Sequence, residues 1–204
     1  MILNSIRKFA RTLLARLTGT DGAEIVEFVV SLPLIVVTVV GIFDFGTAFI
    51  VRQKISNAAL QGARVASNQP TNDLSYSAGA CSAPSSVCAL RDVIDTTLTE
   101  SRLNDCGLNS ASAAASGTLA WTFTANTNCP GTLSLKVERG YVYSPSAALP
   151  TPFDSGSYGI EGTKVTISYP YKWEFNKVIG LLVPGASYAG TSQISGIGVM
   201  QNLN

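Results

Sequence analysis

The chain has 204 residues, a formal net charge of +1, only 13% charged residues and no histidine. Sparse, balanced charge with no basic run argues against nucleic acid as a partner. The missing histidine removes Ser-His-Asp and Cys-His catalysis and the usual zinc ligand sets, and no P-loop or dinucleotide fingerprint is present, so the composition points away from an enzyme, a cofactor or a metal.

Residues 1–21 place Arg7, Lys8, Arg11 and Arg16 against one acid, Asp21. The run Phe28–Val51 that follows has 24 residues, of which only Asp44 is charged. As a helix it spans roughly 36 Å, enough for a hydrocarbon core of about 30 Å. It is too long for the apolar region of an ordinary signal peptide. A small-x-small site at Gly46-Thr47-Ala48 is a poor cleavage signal. The segment therefore reads as a retained membrane helix. The basic flank leans towards a cytoplasmic N-terminus.

Two carboxylates sit awkwardly in this segment. Glu27 opens the apolar run, and at mid-bilayer a carboxylate costs about 2.5 kcal/mol or more unless it is compensated. Asp44 lies 17 residues later, roughly 25 Å along the helix axis. At that depth it is either solvated at the outer interface or faces a base on a neighbouring subunit. Pro33 removes the backbone bond to the Val29 carbonyl and predicts a kink or a soft point.

The helical pattern continues past the membrane. Val51, Ile55, Ala58, Ala59, Ala63 and Ala66 recur at helical spacing. This stripe of small side chains predicts close packing against another element. The helix is predicted to end near Asn68-Gln69-Pro70.

Beyond residue 70 the pattern predicts an α+β domain. Over 88–104, Leu90, Val93, Ile94 and Leu98 share a helical face. Alternation then predicts strands around Leu119–Phe123, Leu133–Val137, Val165–Phe175 and Gln193–Met200. Pro170 marks an edge or bulged position in the third of these. Tyr169, Tyr171, Trp173 and Phe175 share its apolar face and read as sheet core rather than as a glycan-stacking platform. Residues 144–163, rich in Pro, Gly and Ser, read as a long loop.

The four cysteines, Cys81, Cys88, Cys106 and Cys129, all follow the apolar run. They predict two disulfides and an oxidising compartment, so the C-terminal part lies outside the cytosol. A helix over 88–104 holds Cys88 and Cys106 about 27 Å apart, which bars that pair. It also leaves Cys81–Cys106 a nearly taut link. The favoured pairs are Cys81–Cys88 and Cys106–Cys129.

A basic leader, a glycine, four residues, Glu-Phe and a long apolar helix together resemble a type IV-like prepilin. The stretch "GAEIVEFVVSLPLIVVTVVGIFDFGTAFIVRQKISNAALQGARVAS" resembles more closely the TadE-like minor pseudopilins of tight-adherence (Tad, or Flp) pili. The resemblance rests on Val26-Glu27-Phe28, Pro33, Asp44-Phe45-Gly46 and the Asn57-Ala58-Ala59 to Gly62-Ala63-Arg64 segment, with weaker support from "KVTISYPYKW" and a late "GVM". It implies a pilin-like fold in three parts. Residues 1–22 are a leader, 23–69 a transmembrane and stem helix, and 70–204 a disulfide-containing α+β domain with an antiparallel sheet and one further helix.

The resemblance also implies partners and places. A prepilin peptidase cuts between Gly22 and Ala23, and Glu27 and Phe28 dock the subunit among other pilins. An inner-membrane assembly platform extrudes it from the bilayer to a surface pilus, and the domain is periplasmic beforehand. The competing expectation is an uncleaved, membrane-anchored adhesin or binding domain. Glu24 has no role in either reading.

Overall fold

The computed structural model describes residues 20–74, 81–143, 160–175 and 190–203, together with 177, 180 and 185. Helix α1 runs Thr20–Ser67, 48 residues, and is continuous in assignment across Pro33. Its most apolar 18-residue window has a mean hydropathy of 2.6, and none of that window is buried. Such a helix satisfies its backbone internally whatever surrounds it. Two hydroxyls follow the same rule: Ser31 Oγ donates to the Phe28 carbonyl at 3.1 Å and Thr38 Oγ1 to the Leu34 carbonyl at 2.9 Å.

Two compact units divide the chain inside α1 rather than at its end. One comprises the residues up to Phe45 with Glu174–Tyr188; the other comprises Gly46–Trp173 with Ala189–Asn204. In the first unit Asp44 is buried while Ile42, Phe43 and Phe45 are exposed.

The second unit is a two-layer α+β structure. Strands β1 (Ala113–Gly117), β2 (Ala120–Ala125), β3 (Leu133–Tyr143), β4 (Ile160–Lys172) and β5 (Thr191–Gln201) form one antiparallel sheet in chain order. Alternation sorts its faces. Trp121, Phe123, Leu135, Val137, Val165, Ile167, Tyr169 and Tyr171 point into the core. Helix α2, Ser85–Glu100, buries Val87, Leu90, Ile94 and Leu98.

The distal part of α1 packs on β5 more closely than any side chain would allow. A Cβ on Gly198 would lie 2.3 Å from the Ala59 carbonyl oxygen, and one on Gly196 would lie 2.7 Å from the Ser56 nitrogen. On the helix side Ile55, Ala58, Ala59, Ala63 and Ala66 are fully buried. Gly62 likewise leaves room for Ile94 of α2, 2.7 Å from where its Cβ would stand. Small residues on both partners bring backbone against backbone, as the alanine stripe predicts.

The disulfides pin the connections to α2. Cys81–Cys88 ties the chain before α2 to its first turn, and Cys106–Cys129 ties the chain after it to the β2–β3 turn. Asp73 caps α2 from outside, accepting from Ser86 N at 2.8 Å and Ser86 Oγ at 3.0 Å. At the other end Lys54 Nζ donates to the Ser101 carbonyl at 2.7 Å, a cation at a helix C-terminus where the dipole favours it.

Several predicted boundaries shift. Helix α2 starts and stops a few residues before the predicted 88–104 span, closing with Arg102 at φ +57°. Strand β4 starts at Ile160, inside the predicted loop 144–163; residues 144–159 of that loop lie outside the described residues. It also ends at Lys172 rather than Phe175. Tyr169 and Tyr171 are core, as alternation predicts, whereas Trp173 is half-buried with its Nε1 donating to Ser192 Oγ at 2.7 Å. Pro170 lies in an interior strand, but pairing with β3 extends only to Ser134↔Ser168. Position 170 is therefore locally an edge, where a missing N–H costs no ladder bond.

Candidate processing and assembly site

The predicted cut between Gly22 and Ala23 falls within α1, close to residue 20 where the described residues begin. Glycine has little helical preference, which suits a bond that a peptidase must take in extended form. Glu24 and Glu27 follow on the same helix. Both are exposed, as is Phe28 at 60%. Among the described residues no ion pair involves Glu27. The spacing places position 27 four residues after Ala23, so the two lie on one helix face.

Asp44 is a different kind of acid. It is only 6% exposed, and its Oδ2 accepts the backbone N–H of Phe175 at 2.9 Å. The Phe175 ring passes 3.8 Å from where a Gly41 Cβ would stand. The two readings drawn from sequence, a solvated side chain or a partner for a neighbouring subunit's base, did not include this one. Asp44 organises its own chain, holding the start of the β4–β5 connection against α1. No local pattern signals that, because its partner lies 131 positions away.

Two further features of the second unit escape sequence reasoning. Arg139 is 1% exposed, beside an irregularity in the β3–β4 pairing between Glu138 and Tyr141. Its Nη2 donates to the Gln69 carbonyl at 3.1 Å, just past the end of α1. Burial lowers its pKa, and the nearby Asp73 charge opposes that shift. Its Nε and Nη1 have no hydrogen-bond partner among the described residues. Asp95 of α2 is held up at about 6, first by burial, then by a hydrogen bond and the charge of Asp105; a backbone hydrogen bond at Asn109 opposes this.

Among the described residues no cluster of three or more His, Cys, Asp or Glu side chains could hold a metal ion. The pattern that remains is an exposed, membrane-length apolar helix carrying Glu27 and Phe28, whose later residues pack on a disulfide-tied sheet. Compared with known families, residues 22–64 match the TadE-like protein family model. No curated protein matches the chain, and no solved structure does either.

Proposed function

We propose that this TadE-like chain of the Tad pilus system is a minor pseudopilin, cut after Gly22 by a prepilin peptidase and acting in pilus initiation, tip formation or assembly. The observation that carries the reading is the uncovered apolar window of α1, continuous with a stem whose far half belongs to a folded domain. A solitary soluble protein has no use for such a surface. A subunit that passes from lipid into a bundle of like helices does.

The chemistry at the helix start fits this path. Cleavage at Gly22–Ala23 makes a new α-amine at Ala23. In a low-dielectric bundle that amine and a Glu27 carboxylate attract strongly, which compensates the carboxylate and sets how far a subunit enters. Glu24 then occupies the first turn of the shortened helix, where it offsets the positive helix end. The protein catalyses nothing in this scheme; it is a substrate of the peptidase and then of the assembly platform.

N-terminal sequencing of the protein from its native host tests the reading. A start at Ala23 supports it, whereas an intact Met1 or a start at Phe49 overturns it. The competing role, an uncleaved anchored adhesin, requires the intact Met1. Gly22→Phe is expected to leave full-length protein in the membrane and abolish pili; unchanged piliation removes the assignment.

A further inference from the structure

The five-stranded sheet ends on two unequal edges. At one, β1 is five residues long and its pairing with β2 slips between Ala115 and Gly117, two ordinary ways of blunting an edge. At the other, β5 runs eleven residues, Thr191–Gln201, with no charged residue and no proline. Its pairing with β4 is unbroken from Gly162↔Gln201 to Lys172↔Thr191. Among the described residues no backbone hydrogen bond reaches its outer side. A long, uncharged edge of this kind is a template for a further strand.

Helix α1 makes that edge one wall of a groove. Ser56 N stands against Gly196, and Ala59 O and Leu60 N against Gly198, so α1 and β5 run side by side in the same direction. A helix about 10 Å across, seated on a strand, overhangs it by about 5 Å, the spacing of one further strand. Helix α2 fills one flank of α1: Ile94 lies at Gly62, and the Ser101 carbonyl accepts from Lys54. At about 100° per residue, Phe49, Gln53 and Ser56 lie on the opposite flank. That flank is open. Phe49, Arg52, Gln53, Ser56 and Asn57 line a groove of about 360 Å³, and Phe49 is 58% exposed.

Charge decides what fits there. From Gly46 to Ser67, α1 carries Arg52, Lys54 and Arg64 and no acid. Lys54 is held by the Ser101 carbonyl. Arg52 and Arg64 are exposed on the open half of α1 and form no ion pair among the described residues. Their positions are roughly 18 Å apart along the helix. Six residues of a strand cover about 20 Å and return the side chain to the same face.

We propose that the groove between β5 and α1 takes an extended segment of a partner polypeptide as a sixth strand. That segment bears two carboxylates about six residues apart, for Arg52 and Arg64. Backbone hydrogen bonds to β5 supply the affinity, and the two arginines the choice of partner. The β5 strand of a second copy lacks this chemistry, because it has no acid. The inference concerns the folded unit alone and is independent of whether Gly22–Ala23 is cut.

Titration with isotope-edited infrared detection tests it, on the full-length, disulfide-intact protein in a non-ionic detergent. The probe is the peptide acetyl-Glu-Thr-Val-Ser-Val-Thr-Glu-amide, with its valine carbonyls labelled with carbon-13. Saturable binding below about 1 mM is expected, with the labelled band moving to the β-strand frequency. Lysine in place of both glutamates should weaken binding roughly ten-fold, and the Arg52→Ala, Arg64→Ala double variant should bind the acidic peptide roughly five-fold more weakly. Both arginines are exposed, so the double variant is expected to keep the parent's Tm. N-methylation of alternate peptide nitrogens should abolish binding in one of its two registers and spare the other, since only one side of the added strand meets β5. No saturable binding, equal binding of the lysine peptide, or identical behaviour of the two N-methyl registers overturns the inference. Self-association of the protein that the peptide does not displace overturns it too, because a second copy then holds the edge.

Discussion

Gly198→Ala tests the helix-on-sheet contact most sharply. Gly198 has no positive φ among the residues so recorded, so the glycine is there for space and not for backbone freedom. Its new Cβ would stand 2.3 Å from the Ala59 oxygen and 2.4 Å from the Ala59 carbon. Both are backbone atoms of a continuous helix, so relief requires α1 and β5 to separate by about 1 Å to reach an ordinary contact. A gap of that size forfeits a quarter to a half of the attraction across it, here along fully buried Ile55, Ala58, Ala59, Val165 and Ile167. Overpacking of this kind costs about 1–3 kcal/mol, and the lost contacts raise it, while the stiffer unfolded chain returns about 0.4–1 kcal/mol. A net loss of about 2–4 kcal/mol corresponds to a fall in Tm of roughly 6–12 °C for a unit of this size. Thermal unfolding of the full chain in detergent, followed by near-UV circular dichroism of the tryptophans, reads it. Gly46→Ala is the control: it is helical with nothing within 4 Å of a Cβ, so its Tm is expected to equal or exceed that of the parent. A Gly198→Ala protein as stable as the Gly46→Ala protein would refute the packing argument.

Three other outcomes follow from the described contacts. Asp95 keeps its proton up to about pH 6 in the folded chain but loses it near 3.8 when unfolded; the folded state thus binds more protons between these values, and stability falls as pH rises from about 4 to 6. Asp95 is only part-buried, so after solvent screening the loss is about 1 kcal/mol; comparing Asp95→Asn with the parent at pH 4 and pH 7 should show a gain at pH 7 alone. Asp44→Ala removes the charged acceptor of the Phe175 N–H, a hydrogen bond of a kind worth about 1.5–3 kcal/mol; amide exchange at Phe175 should rise roughly ten-fold or more, while Asp44→Asn, which keeps an acceptor oxygen, should change it far less. Removing Cys106–Cys129, with a sequence separation of 23, should cost about 3 kcal/mol against about 2 kcal/mol for Cys81–Cys88, with a separation of 7; equal losses in paired Cys→Ser variants would show that loop length is not what matters.

The elements most legible in the sequence were those whose pattern repeats locally. The apolar run ending near Val51, the alanine stripe Ala58-Ala59-Ala63-Ala66 and the alternation from Val165 to Tyr171 each report one face of one element, because burial acts at the period of the backbone. The Ala113–Gly117 strand was not legible: its Ala, Ser and Gly side chains have little strand preference, and pairing with β2 holds it.

By itself the sequence determined that this chain has a membrane-length helix, a stem with a small-residue face, a disulfide-bearing α+β domain and a glycine, Glu27 and Phe28 placed as in TadE-like proteins. Periodicity, hydropathy and cysteine spacing suffice for these because each is a property of neighbours in sequence. Only the tertiary structure decided that Gly196 and Gly198 are the seat of the alanine stripe, that Arg139 is buried at the end of α1, and that Asp44 accepts the Phe175 N–H. Each of these joins groups more than 60 residues apart. Packing alone brings such groups together, and no local pattern encodes which distant backbone a carboxylate, a guanidinium or a missing side chain is meant to meet.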